Sequence, residues 1–255
     1  MINVYAGEHR HLARVRSHAP PGMAYAPCID WHQFLKTATT ASCSVIITTW
    51  VQEETVERVR RMRTHRPLHP IVLVMIKDAD NVRLVAALGV AELVWLHELE
   101  LALWPAVRRA YAHGFFEELA HTVERDATLT PLLRNALAAA CRREVPMHSI
   151  AELASTVGCH RQTLWYHWHK HVRSDATMHL GDVLDWLQLC RGLVKKTPLT
   201  GWSEVARALG IHQHTLARNA QLLAGLTLRE MASADTRDIL FAFRDLLIAH
   251  LGASI

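Results

Sequence analysis

From residue 1 to about residue 112, short apolar runs rich in β-branched residues alternate with stretches of helical period. Residues 2–5 predict a strand, 10–16 a helix and 23–28 a second strand. The run 44–50 (S-V-I-I-T-T-W) predicts a stronger strand. Residues 53–64 predict an amphipathic helix, with Val56 and Val59 among Glu53, Glu54, Glu57, Arg58, Arg60 and Arg61. Its acids come first and its bases last, as the helix dipole favours, and Pro67 and Pro70 break it. Residues 71–76 (I-V-L-V-M-I) read as a buried strand and 80–88 as a helix closed by Gly89, with Asp80 as N-cap or first-turn acid. Residues 91–96 predict a last strand, and 98 to about 112 a last helix. Strands alternating with helices imply a parallel sheet covered on both faces.

Beyond residue 128 the helical period takes over. Residues 129–143 predict a helix started by Thr128 or Thr130 with Pro131. A repeat follows. Residues 150–164 read I-A-E-L-A-S-T-V-G-C-H-R-Q-T-L and residues 202–216 read W-S-E-V-A-R-A-L-G-I-H-Q-H-T-L, an offset of 52. Six of the fifteen positions are identical: Glu152/Glu204, Ala154/Ala206, Gly158/Gly210, His160/His212, Thr163/Thr215 and Leu164/Leu216. Each copy has the chemistry of a helix-turn-helix. A small residue allows a close crossing, a glycine four residues on permits positive φ in the turn, and a leucine anchors the second helix. Between the copies, residues 181–197 carry Val183, Leu184, Leu187, Leu193 and Val194 at helical spacing and end at Pro198. Residues 234–251 predict a further amphipathic helix, with Asp235 as its first-turn acid, that packs back on the domain, the commoner case, or pairs with a second chain.

Half of the 255 residues are hydrophobic and 20% are charged, which excludes extended disorder and allows one large domain or two ordinary ones. The net charge of +4 is weak, but its distribution is not even. Residues 1–128 hold 14 basic and 14 acidic side chains, residues 129–231 hold 12 and 7, and the last 24 hold 2 and 3. Eight histidines also fall in the basic segment. A neutral module and a polyanion-binding module are therefore expected. Five cysteines without paired spacing argue against a disulfide framework and for a reducing compartment. The first twenty residues carry His9, Arg10, His11, Arg14, Arg16 and His18 with no apolar stretch, so no secretory signal is expected there. The apolar runs are too short to span a bilayer. A cytoplasmic protein with no membrane partner is the expectation.

The stretch from Val45 to Ala112, with its I-V-L-V-M-I run and its G-V-A-E-L-V-W-L run before the last helix, resembles the second half of a response-regulator receiver domain. That resemblance implies a flavodoxin-like α/β fold over residues 1–112. It also implies a phospho-accepting carboxylate after the third strand, an acidic metal-binding pair after the first, a Ser or Thr after the fourth and a Lys after the fifth. The sequence instead has Thr48, Thr49 and Trp50, then Glu8 alone, then Ile76 and Lys77, then Leu96 and His97. Mg²⁺ binding and phosphorylation lose their basis. The expectation is a degenerate, non-phosphorylatable pseudo-receiver serving dimerisation or signal input, with no cofactor and no metal. Asp78 and Asp80 are more naturally a helix start than substitute ligands.

The double repeat resembles the DNA-binding domain of the AraC/XylS family of transcription regulators, in which two helix-turn-helix units share a long connecting helix. It covers residues 128–231, with 181–197 as the connector. Residues 113–127 are then a linker helix and 232–255 a C-terminal amphipathic helix. About eighteen helical residues span about 27 Å, which suits entry into successive major-groove segments about 34 Å apart. The sequence departs from the family after the second unit, where Gly225-Leu226-Thr227-Leu228-Arg229-Glu230-Met231 lacks the usual Pro and closing Arg. Ala220 stands where a Phe usually packs, and the connector lacks the usual Arg-Leu pair.

The N-terminal part of each second helix would reach base edges. In the first unit this is His160, Arg161, Gln162, Thr163, Tyr166 and His167. In the second it is His212, Gln213, His214, Thr215, Arg218 and Asn219. Arg161 and Arg218 suit guanine; Gln162 and Gln213 suit adenine. Lys170, Arg173, Lys195, Lys196 and Arg207 suit phosphates. Trp165, Trp168, Trp186 and Trp202 are expected in the core. His167 and His171 stand i, i+4 with Cys159 nearby, yet no second ligand pair follows at a zinc spacing. No nucleophile elbow, phosphate loop or His-Glu zinc signature occurs, so no enzyme is expected. The resemblance implies a sequence-specific transcription regulator, with double-stranded DNA and RNA polymerase as partners and a homodimer as its form. The alternative is a DNA-associated assembly or adaptor protein that binds DNA without sequence preference and a protein partner through its N-terminal domain.

Overall fold

Five strands pair in parallel: β1 (Ile2–Ala6), β2 (Tyr25–Cys28), β3 (Cys43–Ile47), β4 (Ile71–Met75) and β5 (Glu92–Trp95). Their order is β2-β1-β3-β4-β5, a doubly wound order whose direction switches between β1 and β3. The computed structural model describes residues 1–20, 23–78, 82, 85, 88–171, 178–197 and 199–251. It divides into two units, residues 1–114 and 115–255.

In the first unit, the period of two along each strand sends alternate side chains to opposite faces. Val4, Val45 and Val72 lie in register across three strands. With Ile2, Ala6, Cys43, Ile47, Val74 and Val94 they meet Val15 of α1 (His9–Ser17) and Leu99, Leu103 and Val107 of α4 (Leu99–Arg125). Ile46, Ile71, Leu73 and Met75 point the other way. They meet Phe34 and Ala38 of α2 (Trp31–Ala38), Val59 and Met62 of α3 (Glu53–His65), and Val85 and Leu88. Both faces are covered, which is why β3 and β4 are apolar without alternation. Pro27 sits on β2, at the sheet edge, where a missing N–H costs no ladder bond.

Three expectations change here. Helix α2 was not anticipated; Asp30 caps it, its carboxylate accepting from Gln33 N at 2.7 Å. The strand expected over 44–50 ends at Ile47, and Thr48 Oγ1 donates to Trp50 O at 2.6 Å as the chain turns away. The helix expected to stop near residue 112 runs unbroken to Arg125. Most of the helix expected over 80–88, with Asp80, lies outside the described residues.

The N-terminal ends of the strands hold a buried polar chain. Asn3 Nδ2 donates to Phe34 O at 3.1 Å, and Ser44 Oγ donates to Asn3 Oδ1. Ser44 has spent its proton there, so His69 Nε2, 2.7 Å away, is the donor to Ser44 Oγ. His69 Nδ1 then has no hydrogen, and no partner among the described residues. A second ring proton would be buried without an acceptor. Burial, and then Arg66 and Arg63, accordingly push the His69 pKa down to about 4.

The second unit is helical: the later turns of α4, then α5 (Pro131–Arg142), α6 (Ile150–Thr156), α7 (Arg161–His171), α8 (Leu180–Lys195), α9 (Trp202–Ala208), α10 (Gln213–Asn219), α11 (Leu228–Ser233) and α12 (Thr236–Leu251). Thr130 caps α5 with Pro131 in the first turn, as expected. The centre of the unit is α8, buried from Val183 to Val194 except Asp185. Arg191 is buried in it: Nη2 donates to Cys141 O at 2.6 Å, and the guanidinium lies 3.6 Å over the Phe116 ring. Burial lowers its pKa to about 10. Helix α12 packs back on α8, with Phe243 stacked on Trp186 at 5.6 Å between ring centroids. Arg237 N donates to Asp235 Oδ1, so Asp235 caps this helix from outside, and Asp238 is its first-turn acid.

Candidate nucleic-acid interface

The repeat read from the sequence is a repeat of geometry. Helices α6 and α7 form one pair, α9 and α10 another, and both pairs pack on α8. Ala154 and Ala206, Leu153 and Val205, and Leu164 and Leu216 are buried at equivalent positions. The turns share their closing bond. Cys159 N donates to Ala154 O and Ile211 N to Ala206 O, both at 3.0 Å. Gly158 and Gly210 have φ of +68° and +72°, a region that costs an L side chain roughly 1–2 kcal/mol.

Each second helix opens on a histidine. Gln162 N donates to His160 Nδ1 at 3.3 Å, and His214 N to His212 Nδ1 at 3.4 Å. These rings act as N-caps, a role the sequence reading did not assign them. Each first helix has its own start: Ser149 Oγ accepts from Glu152 N at 3.1 Å, whereas Gly201 offers no side chain.

Beyond the caps, Arg161, Gln162, Thr163, Tyr166 and Lys170 are exposed along α7. Gln213, His214 and Arg218 are exposed along α10, and Thr215 is half-buried. The candidates of each unit thus share one solvent-facing helix. Neither helix contains an acidic residue. Lys195 and Arg207 are exposed; Lys196 is half-buried, its Nζ donating to Thr197 O at 2.6 Å. Arg173 lies outside the described residues.

Two expectations are corrected. Asn219 is 1% exposed and faces Asp185 of α8, so it belongs to the packing between α8 and α10. Burial raises the Asp185 pKa, against the nearby Asn219 amide and the charge of Arg218. Trp165 is not core: it is 52% exposed, whereas Trp168 and Trp186 are buried and Trp202 is half-buried. Trp168 and Ala220 occupy equivalent buried positions, so the smaller residue in the second pair still faces the core. His148 was not singled out from the sequence; its Nε2 would lie 3.2 Å from a Cβ at Gly210.

The receiver-type positions hold different chemistry. Glu8 follows β1, where Thr49 Oγ1 donates to its Oε1 at 3.3 Å and Arg10 Nε lies 2.6 Å from its Oε2. The hydrogen bond from Arg10 lowers the Glu8 pKa. Lys77 lies 5.9 Å from the Trp95 ring, and His97 lies 3.5 Å from Glu98. His167 and His171 are parallel rings 6.3 Å apart. Among the described residues no three His, Cys, Asp or Glu side chains gather as a metal site. All five cysteines are free thiols, and no described helix is long and apolar enough to cross a membrane.

No protein-family model matches the chain, and no curated protein matches it significantly.

Proposed function

We propose that the chain is a sequence-specific, DNA-binding transcription regulator of the AraC/XylS type. Its two helix pairs act as helix-turn-helix units, each placing its second helix in the major groove. The receiver-like N-terminal unit serves dimerisation or signal input without phosphorylation. The observation that carries this reading is the recurrence of one construction at an offset of 52 residues. The same glycine turn and the same histidine cap lead each time into an exposed helix free of carboxylates, on a shared connector. That connector has 16 helical residues, about 24 Å, a length compatible with half-sites one duplex turn apart. An acid-free helix can approach phosphates without like-charge repulsion, and its Arg and Gln side chains suit guanine and adenine edges.

The test is selection of bound duplexes from a random DNA pool by the full chain, at a stated salt concentration. The reading expects one enriched motif with two separated parts. Salt-sensitive binding with no enriched motif would replace it with the non-specific assembly or adaptor role.

A further inference from the structure

Helix α7 differs from its counterpart in a way the regulator reading does not require. Trp165 and Tyr166 are 52% and 56% exposed on consecutive positions. At the offset of 52, α10 carries Ala217 and Arg218 there. Two large aromatic rings thus stand side by side in water on a helix that already buries Leu164 and Trp168, and they form an aromatic ridge on the same exposed surface as Arg161, Gln162 and Lys170.

The ridge is also held in place. The Trp165 ring lies against His169, tilted by 34° with centroids 3.9 Å apart, and His169 Nδ1 lies 3.0 Å from Trp165 O. Tyr166 stands between His167, whose ring meets its edge at 5.9 Å, and Lys170, whose Nζ lies 6.0 Å from its ring. A preformed aromatic surface beside a cation suits a polyanion that also offers an apolar group. In the major groove of a DNA duplex that group is the 5-methyl of thymine.

We propose that Tyr166, set between His167 and Lys170 and next to the Trp165–His169 pair, reads a thymine methyl in the half-site of the first helix pair. This rests on the regulator reading above. It makes the two half-sites chemically unlike: one has an aromatic contact to a thymine, and the other has none, because Ala217 and Arg218 replace the ridge.

The experiment takes the duplex selected by the full chain and replaces each thymidine in turn by deoxyuridine, which removes only the methyl. Affinities are measured for the native chain, Tyr166→Ala and Tyr166→Phe. Burial of one methyl predicts a loss of about fourfold at a single thymine of one half-site. Tyr166→Ala should lose affinity on the thymine duplex and show no further loss with deoxyuridine at that position. Tyr166→Phe should retain the native sensitivity. Tyr166 is exposed, so all three proteins should melt alike, and circular dichroism checks this. Equal deoxyuridine sensitivity in the native chain and Tyr166→Ala, or none in the native chain, overturns the proposal while leaving the regulator reading intact. Tighter binding of the single strand than of the duplex also overturns it. Failure of the native chain to select any motif overturns both.

Discussion

Helix α8 contains two glycines that should respond oppositely to alanine. At Gly192 an added Cβ would lie 3.2 Å from Leu209 Cδ1 and 3.4 Å from Leu216 Cδ1. Both leucines are fully buried, one at the turn of the second pair and one anchoring α10. Alanine gains roughly 1 kcal/mol in helix propensity, but a methyl forced into packed leucines costs about 1–3 kcal/mol. Gly192→Ala should therefore lose about 1 kcal/mol, and Gly192→Val more. At Gly181, near the start of the same helix, a Cβ meets nothing within 4 Å among the described residues. Gly181→Ala should gain about 0.5 kcal/mol, less than the full propensity difference because it lies in the first turn. Urea unfolding of the full chain followed by far-ultraviolet circular dichroism reads both. A third variant isolates the contact: Leu209→Ala removes the clashing methyls, so Gly192→Ala added to it should cost less than alone, a coupling of about 1 kcal/mol. If Gly192→Ala stabilises as Gly181→Ala does, or shows no coupling to Leu209, the second pair does not pack on α8 as described.

The turn glycines should behave alike but not identically: Gly158→Ala should lose about 1 kcal/mol from positive φ alone, and Gly210→Ala slightly more because its Cβ also meets His148. Equal stability of both variants and the native chain in urea would contradict the turn assignment. Stability should fall in acid through His69, whose folded pKa is depressed to about 4 from 6.5. Its neutral form is favoured in the folded state, so its contribution is complete above pH 6.5. It is lost as the pH falls toward 4, at most about 3 kcal/mol. His69→Gln should flatten the urea midpoint over that window; a native profile unaltered by the variant would refute it. Incubation with acetyl phosphate and Mg²⁺ should leave no acyl phosphate, since Glu8 is engaged by Arg10 and Thr49 and β3 ends without a carboxylate. A labelled aspartate or glutamate detected by mass spectrometry would contradict the non-phosphorylatable reading.

What the sequence made legible follows from how strongly each feature is encoded. Strands β3 and β4 are buried on both faces, so their apolar runs are unbroken and plain to read. The 52-residue repeat needed only the spacing of Ala, Gly and Leu, because the turn geometry depends on those residues. Helix α2 was missed because it has eight residues, and its signals, Asp30 as cap with Phe34 and Ala38 on one face, are short. The end of β3 was placed too late because Thr48 and Thr49 have strand-like chemistry and still bond toward β4, Thr48 N donating to Val74 O and Ile76 N to Thr49 O, while the regular strand ends at Ile47. Trp165 and Asn219 were misplaced because the helical period leaves both at the edge of a buried stripe. Trp165 stands three residues before the buried Trp168 and Asn219 three residues after the buried Leu216, the same spacing, yet the first faces solvent and the second the core. The histidine caps were hidden because histidine is not a usual N-cap; only the backbone shows Nδ1 turned to the second helical N–H.

If two equivalent helices each read part of one DNA site, parallel selection from a random duplex pool by the native chain, Arg161→Ala and Arg218→Ala separates their contributions. One motif with two parts about one duplex turn apart is expected. Arg161→Ala should relax one part and Arg218→Ala the other. No motif, or relaxation of the same positions by both variants, would contradict it.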